Sequence, residues 1–363
     1  MLQTALFPEF VDASPATRTI HVAVGAPSGS PATGELLGEQ KDIRYFAAAA
    51  RSVLNGPETT GMGYWSVNPY VGCAFGCAYC YARYAHRYVA ERRGPDALSA
   101  EGMPSWLAFE RRIFVKQNAP ELLRAALRPR RGRRHPLLER RECVVVGTAT
   151  DPYQPAERRF RVTRGLLEAL AEQEGLRVVI ITKSPLVTRD VDVLGRLAAR
   201  SSVSVHVSLI TLDRELARRI EPRAPTPESR LRAIARLREA GIEVSVNVMP
   251  VLPGITDRPA DLEALVRAIA AAGANFAGAC ALRLQSEARK RYLPFIEAEF
   301  PSLAERYRGA YGHGHQVGER YRAGLRKVFG ELCERYGVGV WGREEDDEGE
   351  EVEVAGEQLG LGL

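Results

Sequence analysis

The sequence predicts an α/β fold built on a parallel sheet. Six apolar runs of strand length follow one another along the chain, and segments with helical periodicity separate them. The helical segments carry their own end signals, as in 226–242, where a capping-box-like Thr226 opens the helix and Gly241 ends it. Parallel strands need such crossover helices, so a β/α barrel and a doubly wound sheet both satisfy the pattern.

The predicted strands and helices alternate in a regular order. We place the strands at 66–72, 143–147, 177–182, 203–209, 243–251 and 276–284. We place the helices at 81–93, 119–128, 162–175, 189–201, 226–242 and 261–273. A further short helix is predicted over 44–55, an extended segment over 112–118 and a loop insertion over 94–105.

The regions outside this core differ from it in composition. Residues 1–43 are rich in proline, glycine, serine and threonine, and we expect a flexible N-terminal arm. The core then covers 44–285, and 286–342 predicts a helical extension packed on it. The acidic tail at 343–363 is predicted to be disordered.

Composition limits the class of protein. The chain is 45% apolar, enough for a sizeable core. It has no apolar stretch of the ~20 residues that a membrane span needs, and no basic start followed by an apolar run. We therefore expect a cytoplasmic protein with no membrane association, in which the six cysteines bind metal or remain buried thiols.

Three of those cysteines are clustered. The stretch "NPYVGCAFGCAYCYAR" contains Cys73, Cys77 and Cys80. Gly72 directly precedes Cys73, and Gly76 directly precedes Cys77. Three thiolates on a 4Fe–4S cluster leave one iron without a protein ligand, and an open iron can chelate a substrate. Glycine allows the backbone to approach the sulfides closely.

Two other uses of three thiols stay open. A zinc knuckle would need a fourth ligand, such as His86 or Cys143. A disulfide is the second alternative. The aromatic ring of Tyr79, just before the last cysteine, favours the iron–sulfur interpretation.

The cysteine stretch resembles the signature loop of the radical S-adenosylmethionine (radical SAM) superfamily. Its longer form is similar to the spore photoproduct lyase-like branch, which is also described as DNA-repair photolyase-like. The stretches "GTATDPYQPAE" (147–157), "ITKSPLVTRD" (181–190) and "PVLPGITD" (250–257) strengthen the match. The resemblance covers about 44–285 and does not identify a substrate.

This resemblance implies a partial (β/α)6 TIM-like barrel and a lyase-like radical enzyme. It implies a 4Fe–4S cluster on Cys73, Cys77 and Cys80, whose open iron binds the amino and carboxylate groups of S-adenosylmethionine. One electron from a flavodoxin or ferredoxin then splits the sulfonium into methionine and a 5′-deoxyadenosyl radical.

Cofactor-binding candidates follow from where a barrel gathers its active site, at the carboxyl ends of its strands. Thr148 and Thr150 stand where the family often has Gly-Gly-Glu for the amino group. The remaining candidates are Lys183, Ser208 and Arg230 for the carboxylate and ribose, Asn247 at the end of strand five, and Tyr79 against the adenine. The ordinary alternatives are helix-capping hydroxyls and a solvated arginine.

The stretch "DPYQPAE" (151–157) is unusual for a plain loop, because two prolines stiffen it. We expect Asp151, Tyr153 and Gln154 to face the barrel mouth and contact the substrate; a rigid structural turn is the alternative. Spore photoproduct lyase returns hydrogen from a cysteine near the end of strand two, and "VVVGTATD" has none. Tyr81 or Tyr153 is the candidate hydrogen donor instead.

The substrate and the remaining cysteines are less constrained. The basic segment 128–141 would suit the phosphates of DNA or RNA, so a nucleic-acid base is a candidate substrate, although a solvated loop has the same composition. A second class of function is a non-catalytic, zinc-dependent nucleic-acid-binding protein. Cys280 lies in an apolar strand, and we expect it in the core.

Two further features are unexplained by these motifs. Lysine is scarce beside arginine, so the lysines that remain, such as Lys116 and Lys183, are candidates for a required compact ammonium. The C-terminal "EQLGLGL" (357–363) resembles the short glutamine–leucine peptides that bind the replication sliding clamp. An inert tail is the alternative.

Overall fold

The computed structural model describes residues 35–60, 63–86, 103–312 and 314–341 of the 363-residue chain. Its strands are β1 (Leu36–Gln40), β2 (Ile43–Ala47), β3 (Leu54–Asn55), β4 (Trp65–Val67), β5 (Tyr70–Val71), β6 (Arg112–Val115), β7 (Cys143–Val146), β8 (Arg177–Thr182), β9 (Ser202–Ser208), β10 (Glu243–Val251), β11 (Phe276–Ala281) and β12 (Gly339–Val340).

The helices occupy the connections between these strands and the C-terminal part of the chain. They are α1 (Pro57–Thr60), α2 (Ser105–Ala108), α3 (Ala119–Leu127), α4 (Pro136–Glu139), α5 (Ala156–Phe160), α6 (Val162–Ala171), α7 (Val191–Ala198), α8 (Arg214–Ile220), α9 (Pro227–Glu239), α10 (Pro259–Ala271), α11 (Ser286–Glu299), α12 (Ala304–Gly312) and α13 (Glu319–Arg335). Short 3₁₀ helices lie at Tyr81–Tyr84, Pro185–Asp190 and Pro301–Leu303.

The main sheet confirms the six predicted strands as one parallel set. Its order is β12-β11-β10-β9-β8-β7-β4-β3, and every neighbouring pair from β4 to β12 is parallel. Consecutive βα units thus lie side by side in chain order, as in the partial (β/α)6 barrel. The carboxyl ends of the strands meet at one edge of this barrel, which we call the mouth.

The strand sequences explain which side chains line the barrel interior. In β9, Val203, Val205 and Val207 join the core under the helices, so the alternating positions Ser204, His206 and Ser208 face the other way, into the barrel. In β10 the valines at 244, 246 and 248 occupy the core in the same manner. The interior therefore carries polar side chains.

A second sheet corrects two predictions for the N-terminal region. Its order is β1-β2-β6-β5, so 43–47 is a strand where we predicted a helix over 44–55. Residues 36–40, which we assigned to the flexible arm, pair with β2 as β1. The reason is the period-two burial of Ile43, Tyr45 and Ala47.

The C-terminal extension is helical, as predicted, and also adds a strand. Helices α11, α12 and α13 occupy 286–335, and β12 then pairs with β11 at the edge of the main sheet. The acidic tail and the 357–363 peptide lie outside the described residues. In the parts of the chain that the structure describes, no helix has the length and apolar character of a membrane span.

Candidate active site

The three clustered cysteines lie in a buried loop at the mouth. The loop follows β5, and two glycines shape it with left-handed backbone, Gly72 at φ +92° and Gly76 at φ +67°. A Cβ on Gly72 would lie 2.8 Å from the carbonyl oxygen of Phe109, and a Cβ on Gly76 would lie 2.6 Å from Arg223. Neither position admits another residue without displacement, which explains the spacing of glycines in the motif.

Gln154 holds this cysteine loop in place. Its Oε1 accepts a hydrogen bond from the backbone N–H of Ala74 at 2.9 Å, and its Nε2 donates to the carbonyl of Gly72 at 3.0 Å. The same Nε2 also donates to Thr150 Oγ1 at 3.0 Å. We expected Gln154 to contact a substrate; the structure instead uses its whole amide, fully buried, to clamp the loop.

Two arginines donate hydrogen bonds to backbone carbonyl oxygens of the loop. Arg83 is buried and donates to Cys77 O at 2.8 Å and to Glu110 Oε2 at 2.6 Å. Arg223 donates from Nε to Ala74 O at 2.6 Å. These contacts were missed from the sequence, because each arginine belongs to a different segment.

The electrostatics of the thiols suit a cationic iron cluster. Burial raises the pKa of Cys73 to about 12, although the backbone N–H groups of Phe75 and Asp151 oppose the shift. Burial likewise raises the pKa of Cys77, and the ammonium of Lys183 works against it. Thiolates buried in this loop would be unfavourable without positive charge nearby. Bound iron would supply such charge, and the backbone N–H groups and Lys183 would stabilise the thiolates further.

Of the two candidate fourth ligands for zinc, His86 packs against Gly72 of the cysteine loop and Cys143 lies far from it. His86 is buried between Phe109 and Phe114, and its Nε2 donates to the carbonyl of Arg112 at 2.8 Å. Burial lowers the pKa of His86 to about 4, which keeps the ring neutral in that role. Cys143 opens β7 and therefore lies at the opposite edge of the sheet from the mouth.

A buried polar cluster lies beside the cysteine loop. Tyr79 donates its hydroxyl to Glu221, and Arg230 pairs with the other carboxylate oxygen of Glu221. Lys183 Nζ lies 4.0 Å from the same carboxylate and 5.7 Å from the centroid of the Tyr79 ring. Burial opposes charge on Glu221, but Arg230 and Lys183 hold its pKa below the usual value.

Comparison with known proteins decides the family. The model of the radical SAM superfamily matches residues 67–268, which is more than half of the chain. The chain belongs to the radical SAM superfamily. Members of this superfamily use a 4Fe–4S cluster and S-adenosylmethionine and need an electron donor.

The relatives found by sequence are uncharacterized proteins. One from Mycobacterium bovis is 36% identical over 296 residues, which is 81% of each chain. One from Methanocaldococcus jannaschii is 28% identical over 215 residues, covering 59% of this chain and 70% of that protein.

The solved structures with a similar fold include spore photoproduct lyase. Its complex with dinucleoside spore photoproduct gives a TM-score of 0.54 at 15% identity, covering 82% of this chain and 81% of that one. A double mutant with bound S-adenosylmethionine and the same photoproduct gives 0.52 at 15% identity, covering 76% and 75%. At this identity the likeness shows the fold alone, a radical SAM barrel.

Within this radical SAM barrel, the two threonines after β7 have structural partners. Thr148 Oγ1 accepts a hydrogen bond from Asn68 Nδ2 at 3.0 Å. Thr150 donates to the carbonyl of Gly72. Both hydroxyls thus help to position the cysteine loop, and their predicted contact with the amino group of S-adenosylmethionine stays a prediction.

Arg230 does not extend into the barrel as a free cation. Besides its pair with Glu221, it donates to Ser208 O at 3.0 Å and to Pro225 O at 2.9 Å. It is not the solvated helix residue that was the alternative either, since it is 1% exposed. Lys183, whose side chain is 16% exposed, is the other residue predicted to contact the cofactor carboxylate.

Asp151 and Tyr153 do not face the mouth as we expected. Asp151 Oδ1 accepts from Thr182 Oγ1 at 2.7 Å, and its Oδ2 accepts from the Lys183 backbone N–H at 2.8 Å. Tyr153 is 1% exposed, and the charges that act on its phenol belong to Asp190 and other groups of the barrel wall. The proline-stiffened stretch is therefore a structural turn that joins two strand ends.

Tyr81 is the predicted catalytic residue that does lie in the mouth. Its side chain is 47% exposed, and its hydroxyl donates to Thr148 O. Its pKa is raised well above the usual range, first by burial and then by the neighbouring groups Tyr64, Tyr84, Cys80 and Cys280. Protein atoms surround much of the Tyr81 ring, and water still reaches part of it. A side chain in a concave site has this environment.

The barrel interior contains three polar groups worth noting. Asn247 is buried, and His206, which sequence reasoning missed, lies beside it. Burial lowers the pKa of His206 to about 4, and a hydrogen bond to Asn247 opposes this. Cys280 is partly exposed, and its register with Asn247 through Gly278 places it on the interior face, which corrects its expected core position.

Proposed function

We propose that this chain cleaves S-adenosylmethionine reductively and directs the 5′-deoxyadenosyl radical to a substrate held in the mouth. The observation that carries this is the glycine-shaped loop of the buried Cys73 and Cys77 and the partly buried Cys80, flanked at the mouth by the partly exposed ammonium of Lys183. These three cysteines would hold a 4Fe–4S cluster, which would supply the electron that breaks the sulfonium bond.

The residues around the loop bind and orient the cofactor. Lys183 provides a cation for its carboxylate, and Asn247 provides a polar side chain in the interior. Tyr79 cannot swing freely, because Glu221 fixes its hydroxyl, so its ring offers a rigid face for the adenine. Ser208 contributes its side chain from the end of β9.

Tyr81 is our candidate for hydrogen transfer to or from the substrate. It is half-exposed at the mouth, whereas Tyr153 is enclosed in the barrel wall. Its hydrogen bond to the Thr148 carbonyl holds the phenol at one position beside the cysteine loop. A flavodoxin or ferredoxin is the proposed source of the electron.

A nucleic-acid base is the proposed substrate class, and only the fold similarity supports it. The solved complex of spore photoproduct lyase contains a dinucleoside photoproduct. The basic segment 128–141 lends less support than its composition suggested. Its His135 packs on Trp65 at the start of β4, with ring centroids 4.8 Å apart, so it lies at the edge of the barrel opposite the mouth.

The test is anaerobic. Purified chain with its cluster retained is mixed with dithionite and S-adenosylmethionine, and 5′-deoxyadenosine is measured by mass spectrometry. The wild type should form it slowly without any substrate, and Cys77→Ala should not. Cys333→Ala is the matched control, since this buried thiol belongs to α13. Absence of 5′-deoxyadenosine from iron-loaded wild type would overturn the proposal.

The zinc-dependent alternative makes a different prediction for the same sample. It requires zinc and no iron in the purified chain. Two observations count against it: His86 Nε2 is bonded to the Arg112 carbonyl, and Cys143 opens β7 at the edge opposite the mouth. Metal analysis of the anaerobic protein separates the two functions, because about four irons per chain are expected for a single cubane cluster.

A further inference from the structure

Lys116 is a buried ammonium that the proposed chemistry does not use. It is one of five lysines among 50 lysine and arginine residues, and it is 5% exposed. Its Nζ donates to the carbonyl of Asn68 at 2.9 Å. Over the residues that the structure describes, no carboxylate pairs with it, and burial alone lowers its pKa to about 8.

A lone buried ammonium is costly to a fold. An ammonium carries three N–H donors, and Asn68 accepts only one of them. Burying charge without pairing is unfavourable, so such a group is retained where a ligand completes it. Most other basic positions of this chain are arginine, whereas this one is lysine.

The ammonium lines a cleft rather than solid core. The cleft has a volume of about 40 Å³ and is partly open to solvent, and no acidic residue lines it among those that the structure describes. Ser52 and Asn55 stand in its wall. The Asn55 side-chain amide donates one N–H to Ser66 O at 3.2 Å and has a second N–H to donate. The Ser52 hydroxyl makes only a weak contact of 3.4 Å with Leu54 O.

The cleft adjoins the mouth through one loop. Asn68 lines the cleft, and its side chain holds Thr148 Oγ1 at 3.0 Å and the backbone N–H of Ala149 at 2.8 Å. Ala149 is also part of the cleft wall. The carbonyl of Thr148 accepts from Tyr81 on the mouth side, so a ligand in the cleft and a substrate at Tyr81 would be neighbours.

We propose that this cleft is an oxyanion subsite that takes a phosphate group of the molecule whose reacting part enters the mouth. Lys116 follows β6, whereas Ser52 and Asn55 belong to the stretch that ends in β3, so the cleft takes its donors from two separate parts of the chain. The proposal rests on the proposed function and names a phosphorylated compound as its substrate class.

The test measures binding without reductant or S-adenosylmethionine, so it is independent of radical chemistry. Isothermal titration of the anaerobic chain uses inorganic sulfate, inorganic phosphate, thymidine 5′-monophosphate and uncharged thymidine. Wild type should bind all three anions and not thymidine. Lys116→Met should weaken each anion by about tenfold or more, as expected for a lost charged hydrogen bond. Lys327→Met, an exposed charge on α13, is the control and should change nothing.

The outcomes distinguish two questions: whether the cleft binds an anion, and whether that anion is the phosphate of a substrate. Equal anion affinities in Lys116→Met and wild type would overturn the subsite. Binding of inorganic phosphate but not of the monophosphate would overturn its assignment to a substrate and leave a free-anion site. Formation of 5′-deoxyadenosine by wild type decides the proposed function separately.

Two measurements guard against a merely structural lysine. Sulfate keeps its charge at neutral and alkaline pH, so its affinity for wild type should fall as the pH rises through about 8, where Lys116 loses its proton. Tyr70 is the other titratable group of the cleft wall; burial, then Glu157, raise its pKa well above the usual range, so it does not contribute. Sulfate should also raise the melting temperature of wild type but not that of Lys116→Met, and equal stabilisation of the two would overturn the proposal.

Discussion

The guanidinium of Arg230 is paired with the carboxylate of Glu221 inside the barrel wall, where the two side chains are 2% and 1% exposed. The same carboxylate accepts the hydroxyl of Tyr79 from the cysteine loop. The pair therefore connects α9, the segment after α8 and the cysteine loop. Its function is to position Tyr79 and Lys183, not to bind cofactor directly.

Replacing Glu221 by Gln should destabilise the protein strongly. The change leaves the Arg230 guanidinium buried without its counter-charge, which costs about 3–5 kcal/mol. The free energy of unfolding, from denaturant titration, measures it. Glu228→Gln is the control, since Glu228 is 43% exposed in its pair with Arg214 and should cost less than ~1 kcal/mol. Equal effects of the two changes would contradict the structural role.

The same pair predicts an acid limb of stability. Despite burial, Arg230 and Lys183 hold the pKa of Glu221 below that of a free glutamate, so its stabilising contribution is present at higher pH. It is lost as the pH falls through the folded-state value. Wild type should therefore lose more stability than Glu221→Gln between pH 5 and the acid range, as measured by thermal melts at each pH.

The cluster ligands make the sharpest prediction. Cys73→Ala, Cys77→Ala and Cys80→Ala should each lower iron content and abolish 5′-deoxyadenosine formation, because each removes one iron ligand. Cys280→Ala and Cys333→Ala should keep the iron, since these thiols lie on β11 and α13. Iron per chain and visible absorbance measure this. Iron lost from Cys280→Ala but kept in Cys77→Ala would refute the ligand assignment.

Lys183→Met should weaken S-adenosylmethionine without removing iron. The affinity should fall by about tenfold to a hundredfold, the range for a hydrogen bond to a charged group. Isothermal titration with the loaded protein measures it. Lys290→Met removes a charge that is 59% exposed on α11 and should leave the affinity unchanged. An unaltered affinity in Lys183→Met would assign this lysine a structural role beside Glu221.

Gln154→Leu should loosen the cysteine loop. It leaves the Ala74 N–H without its partner, at about 1–3 kcal/mol for an unpaired buried group, and leaves the Gly72 carbonyl with Thr150 alone. Iron should then be lost faster to a chelator than from wild type. Gln117→Leu, at an exposed position, provides the control. Equal rates of iron loss would show that Gln154 does not hold the loop.

The barrel strands β7 to β10 were predictable because they contain valine and isoleucine runs that are buried, as Val178 and Ile180 show in β8. The N-terminal sheet was not. The alanines at 47–50 favour a helix locally, and only pairing with β6, about 70 residues later, makes the preceding segment a strand.

The candidate site divides in the same way. Lys183 could be predicted because it directly follows β8, and the cysteines could be predicted from their spacing. Glu221 and Gln154 could not, since their contacts join loops 142 and 80 residues apart and depend on how the βα units pack. Side-chain direction was the other limit: nothing in the local sequence distinguishes the enclosed Tyr153 from the exposed Tyr81.

The basic segment predicts nucleic-acid affinity without an effect on radical formation. Arg130 and Arg133 exchange two backbone hydrogen bonds of 3.0 Å, and positive φ at Arg131 and Gly132 closes the turn between them. The turn thus presents exposed arginines at the edge of the barrel opposite the mouth.

Changing Arg130, Arg131, Arg133 and Arg134 to Ser should lower the affinity for DNA or RNA and flatten its salt dependence, by about 0.7–0.9 in slope for each lost phosphate contact. The rate of 5′-deoxyadenosine formation should not change, since the turn is distant from the cysteine loop. The matching change of all four to Lys should keep the slope, because the charge remains. Titrations of labelled duplex and single strand between low and moderate salt measure both variants. A slope that is the same in the Ser variant and wild type would show that this turn is a solvated loop and not a nucleic-acid contact.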